Sequence, residues 1–170
     1  IQYADEGIHL SWLVSYNEIG ELTDWLYLGR EGFENKSYAW IPRYYIPFAY
    51  WARLVGIGMW QARLYTFTLT IVTAGVTGWA ARNLYNSRAT GLFTAGAMFA
   101  SATLMVGARI RHDVGLALAV ALSLAIYSEA LKRNRTALHL FAGIAMGLGM
   151  LAHLHASGIG VAMAIGLYLP

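Results

Sequence analysis

The sequence predicts an all-α fold, a polytopic membrane helix bundle, and two observations support that class. Of the 170 residues, 58% are hydrophobic and only 12% are charged, whereas soluble domains are about half apolar and about one quarter charged. Several stretches without charge approach or exceed the roughly 20 apolar residues that a spanning helix needs. The chain has no cysteine, so neither a disulfide framework nor a thiolate site is expected.

The first region, residues 1–63, is predicted to be an extracytoplasmic loop with amphipathic and interfacial helices. "DEGIHLSWLVSYNEIGELTDWLYL" has a helical apolar rhythm, with Asp5 at the N-cap position. "YYIPFAYWARLVGIGMW" is interrupted by Pro47 and Arg53, which leaves an interfacial helix or a short span, and we favour the interfacial helix. The aromatic side chains of this region are expected to form an interfacial belt: Trp12, Trp25, Tyr27, Trp40, Tyr44, Tyr45, Tyr50, Trp51 and Trp60.

The second region, residues 64–170, is predicted to be a transmembrane helix bundle. We place its spans near 64–81, 89–108, 114–131, 137–152 and 157–170. Small residues recur in these spans and allow helices to approach closely. Gly143 and Gly147 have a G-x-x-x-G spacing that would serve either a dimer contact or packing within the chain. Because the chain opens without Met and stops in apolar sequence, we expect it to be part of a longer protein.

The basic residues predict the orientation of the bundle. The loops after the first and third spans must share a side, and they hold five basic residues and one acid: Arg82, Arg88, Lys132, Arg133, Arg135 and Glu129. The positive-inside rule places these loops in the cytoplasm. Three polar clusters then converge on the extracytoplasmic face: Asp5, Glu6 and His9; Arg109, Arg111, His112 and Asp113; His153 and His155. Such groups in a membrane protein indicate a working site.

The order of several motifs is similar to that of a known family. An Asp-Glu pair in "ADEGIHL" is followed by "WIPRYYIPFAYWARLVGIGMWQARLYTF", which contains Pro42, Tyr44 and the run Ala62-Arg63-Leu64. Then come "AARNLYNSRATGLFTA" and "ARIRHDVGLAL". In this order, the motifs resemble the polyprenyl-phosphate-sugar-dependent glycosyltransferases of the GT-C superfamily, in particular the protein-mannosyltransferase-like branch.

The resemblance implies a chemistry and a set of roles. Such enzymes move a sugar from a lipid phosphate carrier to an acceptor on the outer face. Asp5 and Glu6 would be the catalytic carboxylates, with Asp5 as general base. Arg109 and Arg111 would bind the donor phosphate, and Asp113 would hold one of the arginines. The partners would be the lipid-linked donor and membrane lipids. The protein would be located in a bacterial inner membrane, with its site on the extracytoplasmic face.

Other interpretations of the same residues stay open. His9, His153 and His155 could bind a divalent metal ion, although histidines at helix ends are more often hydrogen-bonded to their neighbours. Asp5 and Asp113 could be helix caps, and the two arginines could anchor a helix end to headgroups. The competing hypothesis is a catalytically idle relative that serves as a structural or assembly subunit of a larger membrane complex. A third, weaker hypothesis is a fragment of a transporter. No basic run with interleaved aromatics suggests a nucleic-acid partner.

Overall fold

The computed structural model describes residues 4–20, 42–105, 109–110, 113–152 and 161. In this part of the chain the helices are α1 (Ala4–Ile19), α2 (Pro42–Val55), α3 (Met59–Tyr85), α4 (Arg88–Met105), α5 (Asp113–Arg133) and α6 (Thr136–Ala152). The described residues contain no strand. The predicted all-α membrane helix bundle is therefore confirmed.

Local sequence signals end and begin the helices. α2 ends at Val55 and is followed by Gly56, whose φ of +92° belongs to the left-handed region that glycine adopts readily. α3 ends at Tyr85, and its C-cap Asn86 is also left-handed, with φ 48°. The next residue, Ser87, accepts a hydrogen bond on Oγ from the Thr90 amide at 3.2 Å and so caps the start of α4. The short turn between α3 and α4 allows these two helices to pack against each other.

α3 lies at the centre of the bundle, since it packs against both α4 and α5, and α5 in turn packs against α6. α3 and α4 approach closely at Gly78 and Gly91: a Cβ at Gly78 would lie 2.6 Å from the Gly91 carbonyl oxygen. Between α5 and α6, the buried Ser123 hydroxyl donates to the Ala142 carbonyl at 2.8 Å. Both contacts are typical of helices that associate in lipid.

The threonines of α3 satisfy their hydroxyls within their own helix. Thr66, Thr70, Thr73 and Thr77 each donate to the carbonyl four residues earlier, at 2.7 to 3.4 Å. A helix in a bilayer has no water to pair with such groups, so this arrangement lets a threonine-rich segment stay apolar on its surface.

Two helices of the described chain, Met59–Tyr85 and Asp113–Arg133, are long and apolar enough to cross a membrane, judged by length and composition. Large apolar side chains such as Leu92, Phe93 and Leu140 are exposed on α4 and α6. An exposed apolar surface of this kind suits lipid rather than water. α3 to α6 overlap the first four predicted spans, whereas residues 157–170 lie outside the described part except for Val161.

The main apolar core lies at one end of the bundle, where α1, α2, the start of α3 and the α4–α5 turn meet. Its buried members are Trp12, Leu13, Tyr45, Phe48, Ala49, Ala52, Ala62, Tyr65 and Ile110. The rings of Phe48 and Tyr65 stack with centroids 4.7 Å apart. This core corrects the expected aromatic belt at two positions: Trp12 and Tyr45 are buried, because helices α1 and α2 pack on each other. Tyr50 and Trp60 are exposed, as the belt requires, whereas Trp25, Tyr27, Trp40 and the side chain of Tyr44 lie outside the described residues.

Candidate functional site

The centre of the candidate site is a buried carboxylate that joins three separate segments. The Glu6 side chain of α1 is 1% exposed, and its partner Arg63, in the second turn of α3, is 27% exposed. Arg63 donates from Nε to Oε1 at 3.2 Å and from Nη2 to Oε2 at 2.9 Å. The Ile110 amide also donates to Oε1, at 3.1 Å. We call Glu6, Arg63 and Ile110 the Glu6 cluster.

The geometry of the Glu6 cluster has a clear physical basis. Removing a carboxylate from water is unfavourable unless it is paired and hydrogen-bonded. The fork of the Arg63 guanidinium meets both oxygens of Glu6, which is the strongest and most directional pairing available to a carboxylate. Because the third donor is a backbone amide, the cluster also holds the main chain of the α4–α5 turn.

The α4–α5 turn carries the predicted phosphate-binding residues. Arg109 is half-buried and precedes Ile110, whose side chain is fully buried in the apolar core. Asp113 is half-buried and begins α5, where a negative charge is favourable at a helix N-terminus. The structure thus brings Arg109 and Asp113 to the end of the bundle that holds Glu6. Arg111 lies outside the described residues.

A second buried group, one turn along α1, involves His9. Its Nδ1 is hydrogen-bonded to the Tyr45 hydroxyl of α2. The ring of Trp12 meets that of Tyr45 edge to face, with centroids 5.0 Å apart. These contacts connect α1 to α2 through a hydrogen bond that is surrounded by aromatic rings. His9 therefore has a structural role in packing the two helices together.

Other predicted site residues are only partly accounted for. α1 begins at Ala4, so Asp5 is its second residue and lies in the first turn. The side chain of Asp5 lies outside the described part of the structure. His153 and His155 follow the end of α6 and are likewise outside it. Since α6 contacts α2, the described helix already approaches the Glu6 end of the bundle.

The described residues do not bring together a set of metal ligands. No group of three or more histidine, aspartate or glutamate side chains among them could hold a metal ion. Glu6 is engaged by Arg63 and the Ile110 amide, and Nδ1 of His9 by Tyr45. A metal site that also uses His153 and His155 stays a prediction, since both residues lie outside the described part of the chain.

Arg63 is the site residue that the sequence did not single out. It appeared only as a member of the Ala62-Arg63-Leu64 run, although it lies within α3, a candidate span. A charged residue inside a spanning segment needs a partner, because lipid does not solvate it. That rule points to an acidic partner on the same side of the membrane. It does not distinguish Glu6 from the other acids in residues 1–63.

The outward face of α2 and the turn after it is apolar and aromatic. Tyr50, Leu54, Ile57 and Trp60 are all exposed, with Trp60 at 80% in the first turn of α3. Arg53 lies beside them, where its Nε donates to an Asn17 side chain and its guanidinium covers the Tyr50 ring. A helix of 14 residues is too short to span a bilayer. Its exposed face therefore suits the interface between lipid and water.

The opposite end of the bundle carries a different set of charges. Glu129 of α5 accepts a hydrogen bond from Asn83 of α3 at 2.6 Å and pairs with Arg133 on its own helix. We call these three residues the Glu129 cluster. Exposed basic side chains surround it: Arg82, Arg88, Lys132 and Arg135. The structure thus gathers at one end the loops that the charge pattern assigned to one side.

The fold and the site together define an integral-membrane helix bundle whose charged groups gather at the two ends, with a buried ion pair and a cationic turn at one of them. The chain belongs to the dolichyl-phosphate-mannose-protein mannosyltransferase family, whose model matches residues 43–169. The resemblance seen in the sequence is confirmed. No curated protein and no solved structure matches the chain.

Family membership indicates a membrane glycosyltransferase of the mannosyltransferase type, with a lipid-linked sugar donor. The matched region begins at the start of α2 and includes Arg63, Arg109 and Asp113. It does not include Asp5 or Glu6. The contacts of Glu6 with Arg63 and with the Ile110 amide therefore connect the acidic pair on α1 directly to the part of the chain that the family model covers.

Proposed function

We propose that the chain transfers a sugar from a polyprenyl-phosphate donor to a hydroxyl or amine acceptor on the extracytoplasmic face of a bacterial inner membrane. The family supports a mannosyltransferase type of activity and a lipid-linked donor. The exposed apolar surface of the bundle supports the proposal that the donor substrate is itself anchored in the bilayer.

The chemistry requires a base and a group that stabilises the departing phosphate. The acceptor oxygen or nitrogen attacks the anomeric carbon, the bond from that carbon to the phosphate oxygen breaks, and the acceptor proton passes to Asp5. The electron pair of the broken bond stays on the polyprenyl phosphate. Arg109 and Arg111 would bind the added negative charge, with Asp113 orienting an arginine.

One observation supports this assignment most strongly: Glu6 and Ile110 are in direct contact. The Ile110 amide donates to Glu6 Oε1 at 3.1 Å, across 104 positions of sequence. Glu6 follows Asp5 directly, and Arg109 directly precedes Ile110. The segment that carries the proposed base and the turn that carries the proposed phosphate ligands therefore meet at one site, as a transfer reaction requires.

The test is sugar transfer by the full-length protein in lipid vesicles, with polyprenyl-phosphate mannose and related donors. Asp5→Asn and Arg109→Ala should each lower kcat by on the order of 100-fold or more, because each removes a group needed in the transition state. Arg135→Ala, an exposed arginine at the opposite end, is the matched control and should retain activity. If no donor is used and the protein copurifies in a larger assembly, the idle-subunit function replaces this one.

The side of the membrane can be tested separately, because the chain contains no cysteine. Glu18→Cys places a single exposed thiol on α1, and Arg135→Cys places a single exposed thiol in the turn between α5 and α6. A membrane-impermeant thiol reagent added to intact cells should label the first variant and label the second only after permeabilisation. The reverse pattern would contradict the proposed orientation.

A further inference from the structure

We propose that Glu6 and Arg63 are positioning residues, which hold the Arg109 turn in the place where it can bind the donor phosphate. This inference rests on the proposed function and assigns a role to Glu6 that differs from proton transfer. It also assigns a role to Arg63, which the sequence did not mark as a site residue.

The first support is how Glu6 is surrounded. Its side chain is buried, and in the part of the chain that the structure describes three donors reach it: Nε and Nη2 of Arg63 and the amide of Ile110. All three contacts use the carboxylate as an acceptor, and both of its oxygens take part. A side chain held in this way is well suited to fixing other groups, whereas a general base has to face the acceptor and exchange a proton with it.

The second support is what the Ile110 amide belongs to. That N–H is part of the peptide unit that begins with the Arg109 carbonyl, and a peptide unit is planar. A hydrogen bond to it at 3.1 Å therefore orients the main chain directly after Arg109. The fully buried Ile110 side chain supplies a second attachment, in the apolar core with Trp12 and Tyr45. These two attachments hold Ile110 in place, and with it the main chain directly after Arg109.

The third support is the role of Arg63 in α3. α3 packs against both α4 and α5, the two helices that the turn connects. Through Arg63, the carboxylate on α1 is bound to this central helix. Glu6 thus connects the turn to the central helix α3 as well as to α1. A phosphate-binding arginine needs such support, because small displacements of a binding group strongly reduce catalysis.

A purely structural ion pair would behave differently from a positioning pair. Loss of a structural pair lowers the fraction of folded protein and leaves kcat and KM per folded molecule unchanged. Loss of a positioning pair changes those constants in molecules that are still folded. The two roles are therefore separated by kinetics normalised to folded protein, measured from the cooperative unfolding transition of each variant.

The kinetic experiment uses the full-length protein with Glu6→Gln, Arg63→Lys and the double variant, all with a polyprenyl-phosphate sugar donor. Glu6→Gln keeps the size and an acceptor oxygen, and Arg63→Lys keeps the charge without the fork. Each single variant should lower kcat/KM by about 10- to 100-fold per folded molecule. The double variant should lose little more than the worse single one, because the two residues act as a unit. Unchanged constants in folded Arg63→Lys would overturn the proposal, and that milder variant still tests it if Glu6→Gln does not fold.

A spectroscopic experiment tests the positioning role without any activity. A spin label on Arg109→Cys, the single cysteine of the chain, reports the mobility of the turn. Mobility should increase clearly when Glu6→Gln is added and stay the same when Glu129→Gln is added at the other end. Equal mobility in all three proteins would refute the positioning role even if transfer is observed. Increased mobility without transfer in the unmodified protein would reject the proposed function alone.

Discussion

The two ends of the bundle each contain a carboxylate on a helix, yet the surroundings of these carboxylates differ. Glu6 is 1% exposed, and its partners come from α3 and from the α4–α5 turn, 57 and 104 positions away. Glu129 is 16% exposed, and its ion-pair partner Arg133, 60% exposed, is on the same helix. Among the described residues, Asn83 of α3 is the hydrogen-bond partner that connects Glu129 to another element.

The difference shows how the same residue type can have two roles in one bundle. In the Glu6 cluster, loss of one partner leaves a charge that water cannot reach, so the pairing is essential once it is buried. In the Glu129 cluster, water and headgroups can replace a lost partner, since Arg133 is already largely exposed. We therefore expect substitutions at the two ends to differ strongly in effect.

The largest effect is expected for Arg63→Ala, which removes the guanidinium that pairs with the buried Glu6 carboxylate. The free energy of unfolding should fall by about 3–5 kcal/mol. Denaturant unfolding in detergent, followed by tryptophan fluorescence, measures it. The double variant Glu6→Gln with Arg63→Met should be more stable than Arg63→Ala, because it removes the buried charge together with its partner. A double variant that is less stable than Arg63→Ala would show that the unpaired charge of Glu6 does not cause the destabilisation by Arg63→Ala.

An intermediate effect is expected where α3 and α4 touch without any charge. A Cβ at Gly91 would lie 2.8 Å from the Cβ of Arg82 and 2.9 Å from the Gly78 carbonyl oxygen, so the helices must move apart. Gly91→Ala should lower the free energy of unfolding by about 1–3 kcal/mol. Gly96→Ala on the same helix is the control, since nothing lies within 4 Å of its Cβ. Similar destabilisation by both substitutions would mean that the close approach does not limit packing.

The smallest effect is expected for Glu129→Gln. The amide keeps the size of the side chain, and Arg133 can turn to water, so the free energy of unfolding should change by about 1 kcal/mol or less. The same unfolding assay measures it, with Glu6→Gln as the comparison. A loss as large as that for Glu6→Gln would remove the distinction between the two ends.

The sequence predicted the bundle because apolar composition and span length act locally along the chain. Its G-x-x-x-G spacing, however, did not identify the close helix contact. Among the described residues, a Cβ at Gly143 or Gly147 meets nothing within 4 Å, whereas Gly78 and Gly91 lie against each other. Small residues permit close approach, but which of them face a neighbour depends on how the helices are rotated.

By itself, the sequence determined the helical membrane class, the grouping of basic loops and the family, since each follows from local composition or motif order. Only the tertiary structure decided that Arg63 is the partner of Glu6, that the Ile110 amide joins them, and that Trp12 and Tyr45 are buried. The physical reason is distance along the chain. A buried carboxylate requires hydrogen-bond donors, but the local sequence around it does not show which distant segment supplies them.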